Sequence, residues 1–211
     1  MNNKLNKLGW VAAGALAVTM MFSGFQANGS KMATVDMQRI LDESRAGKKV
    51  FDDLTNEVNL RQGLLEFLNT NKIVSADQAT QLRTLTLKPG ATQADKDAAE
   101  KLKSDIRAEN KKFNDLMVKA TLTDAERASF NEMNSRRQNT DNLLQQWSNE
   151  FSQDITNMRE EKLASVLQKS RAAVTAVGKK EGYTIIFPTT VAVYAANDIT
   201  DAAIKAVDET P

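Results

Sequence analysis

The sequence MATVDM at residues 32–37 predicts a short β-strand close to the N-terminus. Two further strands are predicted near the other end of the chain, YTIIF at residues 183–187 and VAVY at residues 191–194. β-Branched and aromatic residues favour strands, whereas almost everything between these segments is polar and favours helix. Three short strands cannot bury a core alone. We therefore expect the two ends of the chain to pair with each other and with other copies of the chain.

Residues 1–29 have the features of a secretory signal peptide. Two lysines precede an apolar run at residues 10–22, and ANG at residues 27–29 supplies the small residues that precede a cleavage site. Cleavage is expected before Ser30, which would make the mature protein an exported one. An uncleaved membrane anchor is the alternative, although the run is shorter than the ~20 residues that a membrane span needs.

Charge and composition exclude several classes of function. Removal of the leader leaves 26 Lys and Arg residues against 27 Asp and Glu residues, and a nucleic-acid binder would show a basic excess. The chain has no histidine and no cysteine, so the usual general base and the commonest metal ligand are missing. Acidic pairs such as Asp52-Asp53 lie on a predicted solvated helix, and no glycine-rich phosphate loop is present. We expect no enzyme, no metal and no cofactor.

Three similar signals divide the helical stretch, beginning at Lys72, Lys88 and Lys119. Each places a lysine near a helix end, followed by a Ser or Thr that has an acid or amide three residues further on. This pattern predicts a capping box at the start of the next helix, and Pro89-Gly90 is the strongest stop. The expected helices cover about residues 42–71, 76–87, 92–121 and 123–180.

The last predicted helix would be roughly 87 Å long and needs an antiparallel partner. The first and third helices together match its length, and apolar residues on both sides have coiled-coil-like spacing. These residues are Trp147, Phe151, Ile155, Met158 and Val166 on the last helix, and Val50, Leu54, Val58, Leu65 and Leu68 on the first. The stripes either close the helix pair or offer an apolar face to a partner. The short second helix could lie at the tip or on the flank.

Two stretches resemble the Skp (OmpH-like) periplasmic chaperone family. VDMQRILDES at residues 35–44, followed by AGKK at residues 46–49, resembles the opening of that family. GKKEGY at residues 178–183, with VYA at residues 193–195 and DITD at residues 198–201, resembles its closing segment. The resemblance implies a mostly helical α+β fold and a homotrimer. Strands from three subunits would build a small β-barrel body, and long antiparallel coiled-coil arms would surround a cavity.

The resemblance also sets the expected domains. Residues 30–41 and 181–211 would form the β-rich trimerisation body, and residues 42–180 would form the helical arm. The arm contains an extra punctuated region at 72–122 that departs from the family pattern. Residues expected to fill the shared body are Val35, Ile185, Phe187, Val191, Val193 and Tyr194. Apolar residues on the outer arm are candidates for client contact, or they only pack the third helix on the fourth: Leu116, Met117, Val118, Phe130 and Met133.

The function implied by the resemblance is that of an ATP-independent periplasmic holdase. It would hold unfolded outer-membrane proteins between the arms and prevent their aggregation, with a weak contact to a membrane surface as a further expectation. The familiar chaperones are strongly basic whereas this chain is nearly neutral, so no lipopolysaccharide site is carried over. The alternative is a trimeric structural spacer, or a coiled-coil protein that links the layers of the envelope.

Overall fold

The structure is a computed structural model that describes residues 30–192 and 195–210. Its strands are β1 (Met32–Val35) and β2 (Ile185–Pro188), and its helices are α1 (Met37–Glu43), α2 (Arg45–Thr70), α3 (Ala76–Thr86), α4 (Gln93–Met117), α5 (Asp124–Glu181) and α6 (Thr200–Glu209). The described chain is mostly helical with a small sheet, in agreement with the predicted mostly helical α+β class. The predicted signal peptide lies outside the described residues.

Contacts divide the chain into two compact units. The terminal unit comprises the described residues up to Ala46 and from Leu167 onward, and the central unit comprises Gly47–Val166. The terminal unit holds both strands, α1 and α6. The central unit holds α3, α4 and most of α2. The long helix α5 contributes residues to both units.

The predicted capping boxes are present at the starts of α3, α4 and α5. The Ser75 hydroxyl accepts a hydrogen bond from the Gln78 amide at 3.1 Å, and the Gln78 side chain accepts one from the Ser75 amide at 2.9 Å. Thr92 and Asp95 repeat this exchange at the start of α4, and a third exchange, between Thr123 and Glu126, begins α5. Because capping is a local interaction, these boundaries follow the sequence closely.

The first strand is shorter than predicted because Asp36 begins a helix. The Asp36 carboxylate accepts hydrogen bonds from the amides of Gln38 and Arg39 at 2.9 and 3.0 Å. This N-cap turns the chain into α1 directly after Val35, so the predicted strand at residues 32–37 was two residues too long. The break between α1 and α2 at Ser44, which has ψ 150°, was also not predicted.

The two ends of the chain pair as the sequence predicted. β1 and β2 are parallel, with Met32 opposite Ile185. On the other edge of β1, the Thr34 amide donates to the Asn197 carbonyl at 2.9 Å, and the Ile199 amide donates to the Thr34 carbonyl at 3.0 Å. Beneath this sheet lies a core of buried residues: Ala33, Val35, Ile40, Ala173, Val177, Ile199, Ala203 and Val207.

A left-handed glycine ends α5 and aims the chain into β2. Gly182 has φ +75°, and the Tyr183 amide donates to the Gly178 carbonyl at 2.9 Å, which is the pattern of a Schellman cap. Only glycine adopts this backbone conformation at low cost. The cap occupies the first residues of the predicted strand at 183–187, so β2 begins at Ile185.

The prediction of a third strand at residues 191–194 is wrong for residues 191 and 192, the part of it that the structure describes. Val191 lies in a turn, and its amide and that of Ala192 donate to the Pro188 carbonyl at 2.9 and 3.1 Å. These two amides are therefore committed to a local turn rather than to a strand ladder. Val193 and Tyr194 lie outside the described residues.

Within the central unit, α2 runs antiparallel to α5. The Lys162 ammonium lies 3.3 Å from the Asp53 carboxylate, near the start of α2. Just beyond the end of α2, the Lys72 ammonium lies 2.7 Å from the Asp141 carboxylate. Residue numbers therefore increase along α2 while those of its partners on α5 decrease, as in an antiparallel pair.

The next stretch of α5 is covered by α4, also antiparallel. Arg136 donates to the Glu109 carboxylate at 2.8 Å, and the rings of Phe113 and Phe130 stack with centroids 5.1 Å apart. Helices α2 and α4 thus occupy successive parts of α5, as the predicted lengths required.

The short helix α3 lies on the flank, which resolves the alternative that the sequence left open. Its Arg83 donates to Glu150 of α5 at 2.7 Å, and Gln78 donates to Glu109 of α4 at 2.9 Å. Gly90, with φ +66°, closes the turn between α3 and α4. The extra region therefore forms an α3–α4 hairpin packed against the side of α5.

Candidate functional site

The α4–α5 turn presents two exposed apolar side chains side by side. Met117 is 57% exposed and Val118 is 85% exposed, at the point where α4 ends. Free apolar side chains of this size at a helix end are available to a partner. Methionine is suited to such contacts because its side chain repacks easily.

The other three predicted contact residues lie beneath this turn. Leu116 and Met133 are buried, together with Ile73 and Phe113, and Phe130 is half-buried in its stack on Phe113. These side chains hold α4 on α5. The structure therefore separates the five candidates into three that form a core and two that form a surface.

A lysine clamp holds each of the two turns that flank α4. The Lys88 ammonium contacts the Asp95 carboxylate at 2.8 Å, and this hydrogen bond, with those from Thr92, lowers the pKa of Asp95 to about 2. The Lys119 ammonium contacts Glu126 at 2.5 Å and, with the Thr123 amide, lowers the pKa of Glu126 to about 2. Each lysine thus pairs with the acid of the next capping box. The sequence pattern instead predicts that each lysine interacts with the C-terminal end of the preceding helix.

A buried arginine interrupts the apolar seam between α2 and α5. Arg61 is buried, pairs with Glu57 one turn earlier, and lies 5.6 Å from the Phe151 ring centroid. Its Nε is buried and has no hydrogen-bond partner among the described residues. Val58, which the sequence placed in the seam, is exposed. The seam prediction at Val58 is wrong because the buried Arg61 holds the inward position, with the half-buried Glu57 paired to it.

A cavity of about 520 Å³ lies between α2 and the α3–α4 turn. Leu60, Leu85 and Ala99 contribute to its apolar lining, and Lys96 is one of the charged residues around it. A buried hydroxyl of Thr86, with no hydrogen-bond partner among the described residues, belongs to the same lining. The two acids of its lining are both engaged in ion pairs, Glu57 with Arg61 and Glu100 with Lys103.

The described residues contain no group of three or more acidic residues placed to hold a metal ion. They also contain no helix with the length and apolarity needed to cross a membrane. The lowered acid pKa values described above belong to exposed structural clamps on two turns. The feature available to a partner is the exposed apolar pair Met117 and Val118.

The terminal unit exposes apolar residues along its sheet. Ile185 is 41% exposed and Val191 is 71% exposed, and Phe187 is half-buried. Val35, by contrast, is buried in the core of its own unit. Val193 and Tyr194, the other two residues expected in the shared body, lie outside the described residues. Among the described residues, β2 pairs with β1 alone and leaves its second edge open.

Sequence reasoning missed the arginine contacts of the central unit. Arg83 is the clearest case, because its guanidinium lies over both the Trp147 and Phe151 rings, 5.1 and 5.0 Å from their centroids, while it pairs with Glu150. No short motif marks such a site. For Arg61 a signal did exist, since Leu54, Glu57, Arg61, Leu64 and Leu68 follow the alternating steps of three and four that define a seam.

Comparison with known proteins identifies the family. The family model described as outer membrane protein (OmpH-like) matches residues 31–207. No curated protein matches the chain. Because the family match extends from the residue before β1 into α6, this chain belongs to the Skp/OmpH-like family.

Proposed function

We propose that this protein is an ATP-independent holdase of the periplasm that binds unfolded outer-membrane proteins and prevents their aggregation. The family to which the chain belongs suggests a periplasmic chaperone for outer-membrane proteins. The observation that carries the proposal is the exposed pair Met117 and Val118 on a turn fixed by a capping box and a lysine clamp. Unfolded chains expose apolar segments, and such a surface binds them without a specific pocket.

Further apolar side chains on α2 support a distributed mode of binding. Phe51 and Val58 are both exposed, and they are seven residues apart, so they lie on one face of the helix. Individually weak contacts become effective when several act on one client chain. In this proposal the antiparallel helices of the central unit serve as arms that enclose the client, and no nucleotide is needed.

We further propose that the terminal unit assembles the protein as a homotrimer around a small shared β-barrel. A two-stranded sheet is marginal in water, and an open strand edge invites pairing with another chain. The open edge of β2 and the exposed side chains of Met32, Ile185 and Val191 fit that role. Three copies would also multiply the client contacts.

A second candidate function is a trimeric spacer that links parts of the envelope. The ion pairs between helices of the central unit favour it, since Asp53–Lys162 and Lys72–Asp141 both brace α2 on α5. A braced helical unit would serve as a strut. This candidate predicts a specific partner and no protection of unfolded proteins.

A light-scattering assay distinguishes the two functions. The mature protein is purified, and its mass is measured by analytical ultracentrifugation. An unfolded outer-membrane barrel protein is then diluted from urea with and without it, in the absence of nucleotide. Suppressed aggregation at about one trimer per client supports the holdase. Unchanged aggregation in the presence of a well-folded trimer contradicts the holdase and favours the spacer.

A further inference from the structure

A groove with a strongly cationic lining lies where the end of α2 and the loop after it meet α4 and α5. Its volume is about 470 Å³, and it contains no carboxylate among its lining residues. Lys72, Arg107, Lys111 and Arg137 contribute four positive charges to the lining. We call this feature the basic groove. Its charge contrasts with the chain as a whole, which carries almost equal numbers of basic and acidic residues.

Two of the four cations form no ion pair, although Arg107 interacts electrostatically with the more distant Glu100 and lies over the Phe67 ring, 5.3 Å from its centroid. Lys72 pairs with Asp141 at 2.7 Å, and Lys111 pairs with Asp115 at 3.0 Å. Arg107 and Arg137, by contrast, form no ion pair with any other described residue. Guanidinium groups remain charged at every physiological pH and bind carboxylates in a bidentate geometry. The basic groove therefore retains a net attraction for an anionic ligand.

The wall of the basic groove is already ordered. The Asn110 side chain accepts a hydrogen bond from the Ile73 amide at 2.9 Å and donates to the carbonyls of Ile73 and Ile106 at 3.2 and 2.8 Å. At the end of α2, the Asn71 amide and side chain both donate to the Phe67 carbonyl at 2.9 Å. These bonds fix the loop and satisfy a helix-end carbonyl, which would otherwise repel an anion. A preorganised site loses less entropy on binding.

The remaining lining suits a polypeptide chain. The side-chain amides of Asn69 and Asn114 are exposed and form no hydrogen bond with the other described residues, so each offers both a donor and an acceptor. Met117 extends from the α4–α5 turn into the same lining. An extended peptide presents backbone donors and acceptors that match these amides, together with side chains that can contact the methionine.

We propose that the basic groove binds an acidic segment of an unfolded client, with the client carboxylates on Arg107 and Arg137 and its backbone on Asn69 and Asn114. This inference rests on the proposed holdase function and adds a class of client sequence to it. The occupant is an unfolded chain rather than an anionic membrane because the open amides pair with peptide groups. The attraction is ionic, so it weakens as salt shortens the Debye length to ~10 Å at 0.1 M.

The test measures binding of a labelled peptide to the full mature protein. The probe is an unstructured peptide of Asp, Glu, Gly and Ser, and the matched probe replaces Asp by Asn and Glu by Gln. Fluorescence anisotropy is recorded for the wild type, for Arg107→Gln/Arg137→Gln, and for the control Lys101→Gln/Arg159→Gln. The control removes the same charge from exposed residues outside the basic groove that form no ion pair with other described residues.

We expect the wild type to prefer the acidic peptide, the groove variant to lose at least about tenfold in affinity, and the control to change by less than about twofold. Equal losses in the two variants would show a general charge effect and overturn the proposal. Unchanged peptide binding in the groove variant, with loss of its binding to phosphatidylglycerol vesicles, would assign the basic groove to a membrane and also overturn it.

The light-scattering assay separates this proposal from the proposed function. Suppression of aggregation by the wild type, with lost acidic-peptide binding in the groove variant, supports both. If the wild type fails to suppress aggregation but binds the acidic peptide through the basic groove, the holdase function fails and the site stands. If aggregation is suppressed while the acidic peptide does not bind, the basic groove proposal alone is overturned.

Discussion

The Arg83 guanidinium donates a hydrogen bond of 2.7 Å to the Glu150 carboxylate and thereby joins α3 to α5. The same guanidinium lies about 5 Å from the ring centroids of Trp147 and Phe151. A planar guanidinium can pair with a carboxylate and contact aromatic rings at once, which a lysine ammonium does less well. One side chain thus combines an ion pair and two ring contacts where the extra hairpin meets the long helix.

Substitution of Arg83 by methionine should loosen α3 while leaving its core contacts in place. The free energy of unfolding, measured by urea denaturation, should fall by about 1–2 kcal/mol, because two ring contacts and a partly exposed ion pair are lost. Hydrogen exchange should increase in residues 76–86. Arg159→Met serves as a control at an exposed position that forms no ion pair with other described residues. Equal destabilisation by both variants would contradict the assigned role of Arg83.

The ion pair between the half-buried Glu57 and the buried Arg61 should behave differently from the Arg83 contact. Glu57→Leu leaves the buried Arg61 charge without its partner, so the free energy of unfolding should fall by about 3 kcal/mol. The double variant Glu57→Leu/Arg61→Leu removes both charges and continues the apolar seam beside Phe151. Its stability should equal or exceed that of the wild type. A double-mutant cycle in urea measures the coupling, and additive losses from the two substitutions would refute this account.

Two glycines in open space offer a matched test of backbone conformation. A Cβ added at Gly63 or at Gly182 meets no heavy atom within 4 Å. Gly63 lies inside α2, so Gly63→Ala should stabilise the protein by about 0.5–1 kcal/mol through helix propensity. Gly182 has φ +75°, so Gly182→Ala should destabilise it by about 1–2 kcal/mol. Opposite shifts of the urea midpoint are expected, and shifts of the same sign would contradict the assigned helix cap.

The lysine clamps make a pH-dependent contribution to stability. The pKa values of Asp95 and Glu126 fall from 3.8 and 4.5 to about 2 in the folded protein. At pH values between the folded and unfolded pKa, the unfolded chain binds more protons than the folded protein. The stabilisation from the two carboxylates is therefore complete above about pH 4.5 and is lost as the pH falls toward 2. Lys88→Gln and Lys119→Gln should therefore cost more stability at pH 7 than at pH 3.

Urea denaturation at both pH values measures this effect, with Lys101→Gln as the control. Lys101 is exposed and forms no ion pair with other described residues, so its substitution should have the same small effect at pH 7 and pH 3. NMR titration of the Asp95 and Glu126 carboxyl groups provides a direct measurement. If the two pKa values stay near 2 after the lysines are removed, the assignment of the shift to the clamps is wrong.

The helix boundaries could be predicted because their causes are local. Each capping box needs only residues three positions apart, such as Ser75 and Gln78, and the left-handed turn at Gly182 needs only the glycine itself. The pairing of the two chain ends also followed, since short strands cannot bury a core alone and must meet another strand. The strand pattern predicted the end of β1 wrongly at Asp36, because this residue caps α1 and so ends β1 at Val35.

The composition of the site could not be predicted because helical phase decides it. Leu116 and Met117 are neighbours in sequence, yet a rotation of about 100° per residue buries the first and exposes the second. For the same reason Val58 is exposed on α2, whereas Arg61 is buried in the seam. The position of α3, set by Arg83 and Glu150, depends on residues 67 positions apart, which no short pattern encodes.

The exposed pair on the α4–α5 turn gives the sharpest functional prediction. Met117→Gln/Val118→Gln should weaken binding of a labelled unfolded outer-membrane barrel protein by about tenfold, because partial burial of two apolar side chains is lost. The free energy of unfolding should change by less than about 0.5 kcal/mol, since both residues are exposed. Fluorescence anisotropy measures the first quantity, and urea denaturation measures the second.

The control for this prediction lies in the same turn. Ala120→Gln/Thr121→Gln adds the same glutamines without removing a large apolar side chain, so client affinity should change by less than about twofold. Equal effects of the two double variants would mean that the turn contributes shape or charge rather than apolar contact. Unchanged affinity in both would remove Met117 and Val118 from the client surface and leave Phe51 and Val58 on α2 as the next exposed apolar candidates in the central unit.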